Sequence, residues 1–268
     1  MASGLIAPVL AAEPTPPAGD AVSATPAPTE SQVRARELLF GMARFLAAQQ
    51  SFSVELVGGY DVIQADGQKI QFVESRNIGL ARPDHLRIAE EIGASRGQSI
   101  LFDGTRMTIW DETTGVFAQA DQPQTVDDGI LYFMRDLQMR LPLGPLFTTW
   151  FPTELEVRVR SVDYVEETGV FGQPAHHIAA RTPAVDFQVW IAAGEQPAPL
   201  RVVMTYPEAG QPQYWAQFSD WNFAPVFAAD TFVLRLPDGL QQVAFAVQVA
   251  TLEQTAPPAV TAPEGEQP

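Results

Sequence analysis

Ser99-Ile-Leu-Phe-Asp-Gly-Thr-Arg-Met-Thr-Ile-Trp-Asp111 decides the fold. Two runs rich in β-formers flank Asp103-Gly104, a dipeptide suited to a tight hairpin because it tolerates positive φ. In the second run Met107 and Ile109 alternate with Arg106, Thr108 and Trp110, which gives one apolar face. Upstream, Leu86 and Ile88 alternate with His85 and Arg87 in the same way. The stretch therefore predicts successive antiparallel strands, each apolar on one side. A sheet of this kind has to cover that side.

Working outward, the period of two extends far along the chain. Phe52, Val54 and Leu56 alternate with Ser53, Glu55 and Val57, and Gly58-Gly59 suggests a bulge or bend. Asp66-Gly67 turns the chain into a strand over 69–80, and 116–120 is another. Later strands are expected at 155–160, 169–181, 185–191, 200–206, 213–221, 232–236 and 243–250. No long helix separates them, so the connectivity predicted is a meander and not a βαβ series.

Two helical zones break the pattern. Thr29-Glu-Ser-Gln32 fits a capping box and opens a helix in which Leu38, Met42, Phe45 and Leu46 recur at helical spacing. In 125–151, Asp127 and Asp128 sit where a helix dipole favours acids, and Ile130, Met134, Leu137 and Leu141 share a face. Pro142 and Pro145 interrupt this zone before Leu146-Phe-Thr-Thr-Trp-Phe151. The fold class is mainly β, a curved antiparallel half-barrel sheet with helices on its concave face. Its expected extent is 31–252, between a Pro/Ala-rich linker at 13–30 and a similar tail at 253–268.

Composition narrows the function. The formal charge is −16, of which three acids lie in each terminal stretch, and this argues against nucleic acid and anionic membranes. Cysteine is absent, so thiolate metal sites and disulfides are excluded. No apolar run approaches the ~20 residues of a membrane-spanning helix. Residues 1–12 end in Leu5-Ile-Ala-Pro-Val-Leu-Ala-Ala12, which reads as the remnant of an export signal.

Catalytic motifs are thin. Gly93-Ala-Ser-Arg-Gly97 matches the G-x-S-x-G hydrolase signature, but a nucleophile elbow needs a helix after the serine, and Gln98–Phe102 reads as a strand. Ser95 is thus expected in a hairpin connection. His176-His177 point to opposite faces of a strand and cannot share a metal. The paired acids Glu90-Glu91, Asp127-Asp128 and Glu166-Glu167 are adjacent, a spacing that does not bury one against the other. No cofactor or metal site is expected.

The helical zone carries more Leu, Phe, Met and Trp than one small contact needs, which suits an apolar cavity. Its expected lining is Leu86, Ile88, Ile100, Phe102, Met107, Ile109, Val157 and Val159 from strands, with Phe133, Met134, Leu137, Phe147 and Phe151 from the cover. The competing reading is a collapsed core made of the same side chains.

Taken in order, Arg82-Pro83 with Leu86–Ile88, then Ser99–Gly104 running into Met107–Trp110, Pro199-Leu-Arg201, and Asp230-Thr-Phe-Val-Leu-Arg-Leu-Pro-Asp-Gly239 carry a resemblance. The chain resembles the Lol-type periplasmic lipoprotein carriers (LolA/LolB-like), and more closely a family of predicted periplasmic proteins of unassigned function. The resemblance implies an incomplete barrel closed by helices, a periplasmic location, and an apolar ligand such as an acyl chain or lipid moiety. Through it, Arg82 becomes a candidate polar group at the cavity. The partner it implies is a lipoprotein or envelope protein, and the expected state is a monomer. Two alternatives stand beside a carrier: an envelope interaction or sensor module that binds protein on the concave sheet, and an esterase using Ser95.

Overall fold

The computed structural model describes residues 27–245, apart from 93–94, 122–124, 137–140, 142, 170 and 209. Helix α1 (Glu30–Ala48) starts at the expected capping box, with Gln32 N donating to Thr29 Oγ1 at 3.2 Å and Thr29 N to Gln32 Oε1 at 3.0 Å. The two reciprocal bonds satisfy amides that have no partner within the helix. Its buried face is Ala35, Leu39, Met42, Ala43 and Leu46, with Leu38 and Phe45 half-buried at its margins.

Six strands follow: β1 (Ser51–Ile63), β2 (Lys69–Ala81), β3 (His85–Ile92), β4 (Ser95–Asp103), β5 (Arg106–Asp111) and β6 (Val116–Asp121). The β4–β5 turn is the Asp103-Gly104 hairpin, with Gly104 at φ +89°. Asp103 Oδ1 accepts from the amides of Thr105 and Arg106 at 3.0 and 2.8 Å, which fixes the turn. The helical cover comes next, as α2 (Val126–Leu131), a π-helical turn (Tyr132–Asp136), a 3-10 turn (Gly144–Phe147) and α3 (Phe151–Arg158). Then come β7 (Ser161–Thr168), β8 (Ala175–Arg181), β9 (Asp186–Ala192), β10 (Pro199–Thr205), β11 (Gln213–Asn222) and the two-residue β12 (Gln241–Gln242).

All twelve strands form one sheet in the order β12-β6-β5-β4-β3-β2-β1-β11-β10-β9-β8-β7. Every pairing is antiparallel except β12 with β6. Its inward rows continue across neighbouring strands: Leu80 opposite Leu86 and Leu86 opposite Phe102, or Ala216 opposite Val202 and Val202 opposite Val189. Against this face α1 lies over β7–β9 and also touches α3 and the 3-10 turn. The α2 region covers β2–β5, where Ile130 and Phe133 meet Ile88, Ile100 and Met107.

The strand expected at 169–181 begins only at Ala175, and the sequence reading differs from the structure more deeply in four other places. Residues 151–158 form a helix, not the start of a strand. Pro152 suits a first helical turn, Phe151 and Leu155 are buried at a spacing of four, and Glu154 pairs with Arg158 one turn on. The alternation of Leu155, Val157 and Val159 is incidental to that geometry. The first strand of the second half is instead β7, which carries a register shift between Tyr164 and Glu166.

Second, Gly58-Gly59 is not a bulge, because β1 pairs with β2 in unbroken register there. Both glycines permit close approach instead. A Cβ on Gly59 would lie 2.7 Å from Phe72 O and 2.8 Å from Trp215 Nε1, and one on Gly58 would lie 2.9 Å from Trp215 O. Gly59→Ala is accordingly expected to lower stability by about 1–3 kcal/mol through overpacking, read as an earlier denaturant midpoint with unchanged slope.

Third, 232–236 is no strand. Val233 N donates to Asp230 O at 3.1 Å in a turn, and Phe232 lays its ring on the sheet, 5.1 Å from His85. Phe223 packs on Phe45 and Phe52 at the inner side, and the chain then crosses as a strap to the outer face around 227–232 before Gln241 and Gln242 reach the β6 edge. Phe227 reaches Gly79, and Arg87 Nη1 donates to Thr231 O at 3.1 Å. Leu101, Thr108 and Trp110, on the outward side of the deciding hairpin, are also buried, and Gln119 Nε2 donates to Thr108 Oγ1 at 3.2 Å. Fourth, pairing with β6 begins earlier than the strand expected at 243–250, at Gln241–Gln242, and among the described residues of that range it extends to the Val243 amide, which donates to Phe117 O. Residues 246–250 lie outside the described residues, as do 1–12 and 253–268.

Candidate functional site

Between the α2 region and strands β1–β5 lies an apolar cleft lined by Leu56, Ile78, Leu86, Ile88, Ile100 and Met107 from the sheet. Ile130, Phe133, Leu143 and Phe147 line it from the cover, and Arg76 and Tyr214 stand at one end. Its free volume is only about 30 Å³. That is room for one or two waters, against the ~300–1,000 Å³ of a drug-sized ligand site. In this conformation the cleft is closed.

Six of the expected lining residues meet there: Leu86, Ile88, Ile100, Met107, Phe133 and Phe147. Phe102 and Ile109 are fully buried in the packed core beside it, and Phe151 is buried in the same core. Met134 and Val159 pack half-buried against the core. Val157 is 79% exposed on the outer side of α3, so its place in the lining is corrected: a helix there turns it to solvent. Leu137 lies outside the described residues.

Arg82, 6% exposed at its side chain, does something more specific than sit at a mouth. Its Nε donates to Gln49 O at 3.0 Å, Nη1 to Asp127 Oδ1 at 3.1 Å, and Nη2 to Phe147 O at 2.8 Å. One guanidinium thus ties the end of α1, the first turn of α2 and the 3-10 turn to the sheet. Asp127 returns the grip by accepting from Thr149 N and Thr149 Oγ1. Burial lowers the pKa of Arg82, and the Asp127 carboxylate opposes that shift. Arg82 therefore latches the cover, with three of its five N–H donors engaged in doing so.

The sequence reading missed the polar end of the cleft. Buried Glu74 accepts from Arg76 Nη2 at 2.8 Å and from Tyr214 Oη at 3.2 Å. Glu90 lies opposite Arg76 across the β2–β3 ladder and accepts from the Gln98 amide at 3.2 Å. The signal was one of register, since Glu74 and Arg76 occupy the same inward row as Ile78 and Leu80. Burial pushes the Tyr214 phenol well above its usual range, and the Glu74 charge adds to this.

Burial likewise raises the Glu90 carboxyl, with Glu74 and Asp111 reinforcing and Arg76 and the Gln98 amide opposing. Between the ordinary carboxylate range and the raised folded value, the folded state keeps a proton that the unfolded state has lost. Glu90 thus favours folding at low pH, and that contribution disappears as pH rises through the window. Glu90→Gln should melt higher than wild type at pH 7.5, and the gap should close as pH falls towards about 4.

The motif serine and the histidines are placed by backbone and contacts. Strand β4 begins at Ser95 itself, pairing it with Ile92, so a strand occupies the place where an elbow requires a helix. His177 stacks on Trp190 at 4.0 Å and contacts Gln188 Oε1, while His176 faces the Tyr164 hydroxyl at 3.3 Å. Among the described residues no group of three or more potential ligands could hold a metal. No helix among them is long and apolar enough to cross a membrane.

The model of a family described as predicted periplasmic protein, DUF2092, matches residues 35–246. The chain belongs to this family. The DUF2092 match spans both halves of the sheet and the helical cover, and its periplasmic description agrees with the export expected from the sequence. No curated protein matches this DUF2092 chain. Among solved structures it is similar to an uncharacterized conserved protein from Thermus thermophilus, at 11% identity and a TM-score of 0.46, over 79% of this chain and 99% of that one. The Mycobacterium tuberculosis lipoprotein LppX is similar at 13% identity and a TM-score of 0.46, over 74% and 99%. A LolA superfamily protein from Nitrosomonas europaea is similar at 12% identity and a TM-score of 0.36, over 75% and 97%.

Proposed function

We propose that this protein is a periplasmic carrier, without catalysis of its own, that holds an acyl chain or similar lipid moiety between the half-barrel and its helical cover. The observation that carries the reading is the seam itself. Its facing walls are mostly apolar, whereas the cover is pinned to the sheet rim by Arg82 and Asp127, with the Val126 amide donating to Pro83 O beside them. Apolar walls can part around an apolar guest with little loss, because each buried CH₂ of the guest recovers about 0.8 kcal/mol. A polar seam would lose its hydrogen bonds on opening.

Protein purified from a periplasmic fraction should carry acyl lipids that mass spectrometry of an organic extract detects. The same protein after delipidation should take up the uncharged fluorophore N-phenyl-1-naphthylamine. Absence of both lipid and uptake would overturn the reading. Protein binding on the concave sheet is the second reading. It is favoured by Tyr60, Val62, Ile70 and Phe72, which lie on the inward rows beyond the cover and are exposed.

A further inference from the structure

The inward face of β1 and β2 changes character along its length. At the covered end Phe52, Val54 and Leu56 face Leu80, Ile78 and Arg76; then Gly58 faces Glu74; then Tyr60 and Val62 face Phe72 and Ile70, uncovered and exposed. A charged row thus separates the closed apolar cleft from an open apolar lip. Arg76, in this row, is part of the cleft lining, together with Tyr214.

The row has a specific imbalance. Each oxygen of Glu74 already accepts one hydrogen bond, Oε2 from Arg76 Nη2 and Oε1 from the Tyr214 hydroxyl. Arg76 Nε is buried and has no acceptor among the described residues. An unmatched buried N–H is costly and calls for a carbonyl or hydroxyl oxygen. The charges narrow the choice further, because two carboxylates, Glu74 and Glu90, share one guanidinium. A ligand carboxylate or phosphate placed here would meet an excess negative charge in partly desolvated surroundings. An ammonium would offer no lone pair to Arg76 Nε, so that buried N–H would stay unmatched.

We propose that Glu74, Arg76, Glu90 and Tyr214 form a headgroup rim that accepts an uncharged ester- or amide-linked acyl lipid and rejects free fatty acids and alkylamines. The inference rests on the carrier reading. The acyl chain occupies the cleft, the linkage carbonyl meets Arg76 Nε, and the remainder of the ligand leaves over Tyr60 and Phe72.

Displacement of bound N-phenyl-1-naphthylamine by three ligands with twelve-carbon chains tests it at pH 7.5. 1-Monolaurin should displace the fluorophore at concentrations at least about tenfold below laurate and dodecylamine. Glu90→Gln, which removes the excess charge, should tighten laurate and narrow that gap. Arg76→Lys keeps the charge but removes the Nε donor, and should weaken monolaurin by a larger factor than it weakens the fluorophore, which has no carbonyl for that donor. If laurate or dodecylamine binds as tightly as monolaurin, or if the gap survives both substitutions, the rim is not a headgroup site although the carrier reading stands. If no fluorophore is taken up and no lipid copurifies, both fall together. Circular dichroism of each variant, matched to wild type, keeps a folding defect from being read as a binding one.

Discussion

Phe102→Asp is expected to leave no folded protein. Phe102 sits at 0% exposure in the middle of β4, facing Leu86 on β3 and Met107 on β5. A carboxylate there has no cation or donor within the apolar rows to compensate it. Even as the neutral acid it forfeits the aromatic packing, a loss of about 3–5 kcal/mol for large-to-small core changes before any polar penalty is added. That is comparable to the whole stability of many domains, ~5–15 kcal/mol. Loss of the native circular dichroism signal and recovery only from inclusion bodies would meet the expectation. A folded, cooperative variant would show that the site tolerates charge and is not core. The milder Phe102→Trp should fold at a cost of about 1–3 kcal/mol and leave fluorophore uptake unchanged. Ile88→Trp, on the cleft wall, should fold and reduce uptake. The pair separates core from cleft on two strands that touch.

The second large effect concerns Arg82. Arg82→Leu removes three hydrogen bonds at once and leaves the half-buried Asp127 carboxylate and two backbone carbonyls facing an apolar side chain. Breaking a buried ion pair from one side costs about 3–5 kcal/mol. Thr149 still solvates Asp127, so the lower end of that range is expected here. The variant should melt earlier and, because the cover has lost its hub, bind N-phenyl-1-naphthylamine faster than wild type at a temperature where both are folded. Arg82→Lys should fall between them, since an ammonium cannot reach three acceptors in the guanidinium's planar geometry. Unchanged uptake kinetics in Arg82→Leu would show that the cover does not move through this contact.

How much of this was legible in the chain can be argued from single residues. Thr29 and Gln32 announce α1 because a capping box is local, and Asp103-Gly104 announces its hairpin for the same reason. The alternation from Leu86 to Ile109 yields the curved sheet and most of the cleft wall, since register carries period-two patterns across neighbouring strands. Residues 155–159 mislead because so short an apolar-polar alternation fits a helix equally well, and only the burial of Phe151 and Leu155 decides. Strand β7 was hidden by its own bulge, which breaks the alternation between Tyr164 and Glu166. The rim was hidden by distance: Tyr214 and Glu74 are 140 residues apart and meet only because β11 pairs with β1. Arg82 was visible only through a family likeness, and its three acceptors lie on three different elements that no spacing connects.

The strap and its two-residue strand have a consequence for how copies of this protein meet. An open sheet has two edges at which a second chain could add a strand and so begin a polymer. At one, Gln241 and Gln242 already occupy the hydrogen-bonding positions of β6, and so short a strand offers little further template. At the other, β7 is kinked by its bulge and carries Asp163, Glu166 and Glu167, which would repel their own counterparts in an approaching copy. A concentrated solution is therefore expected to stay free of sheet-to-sheet assembly.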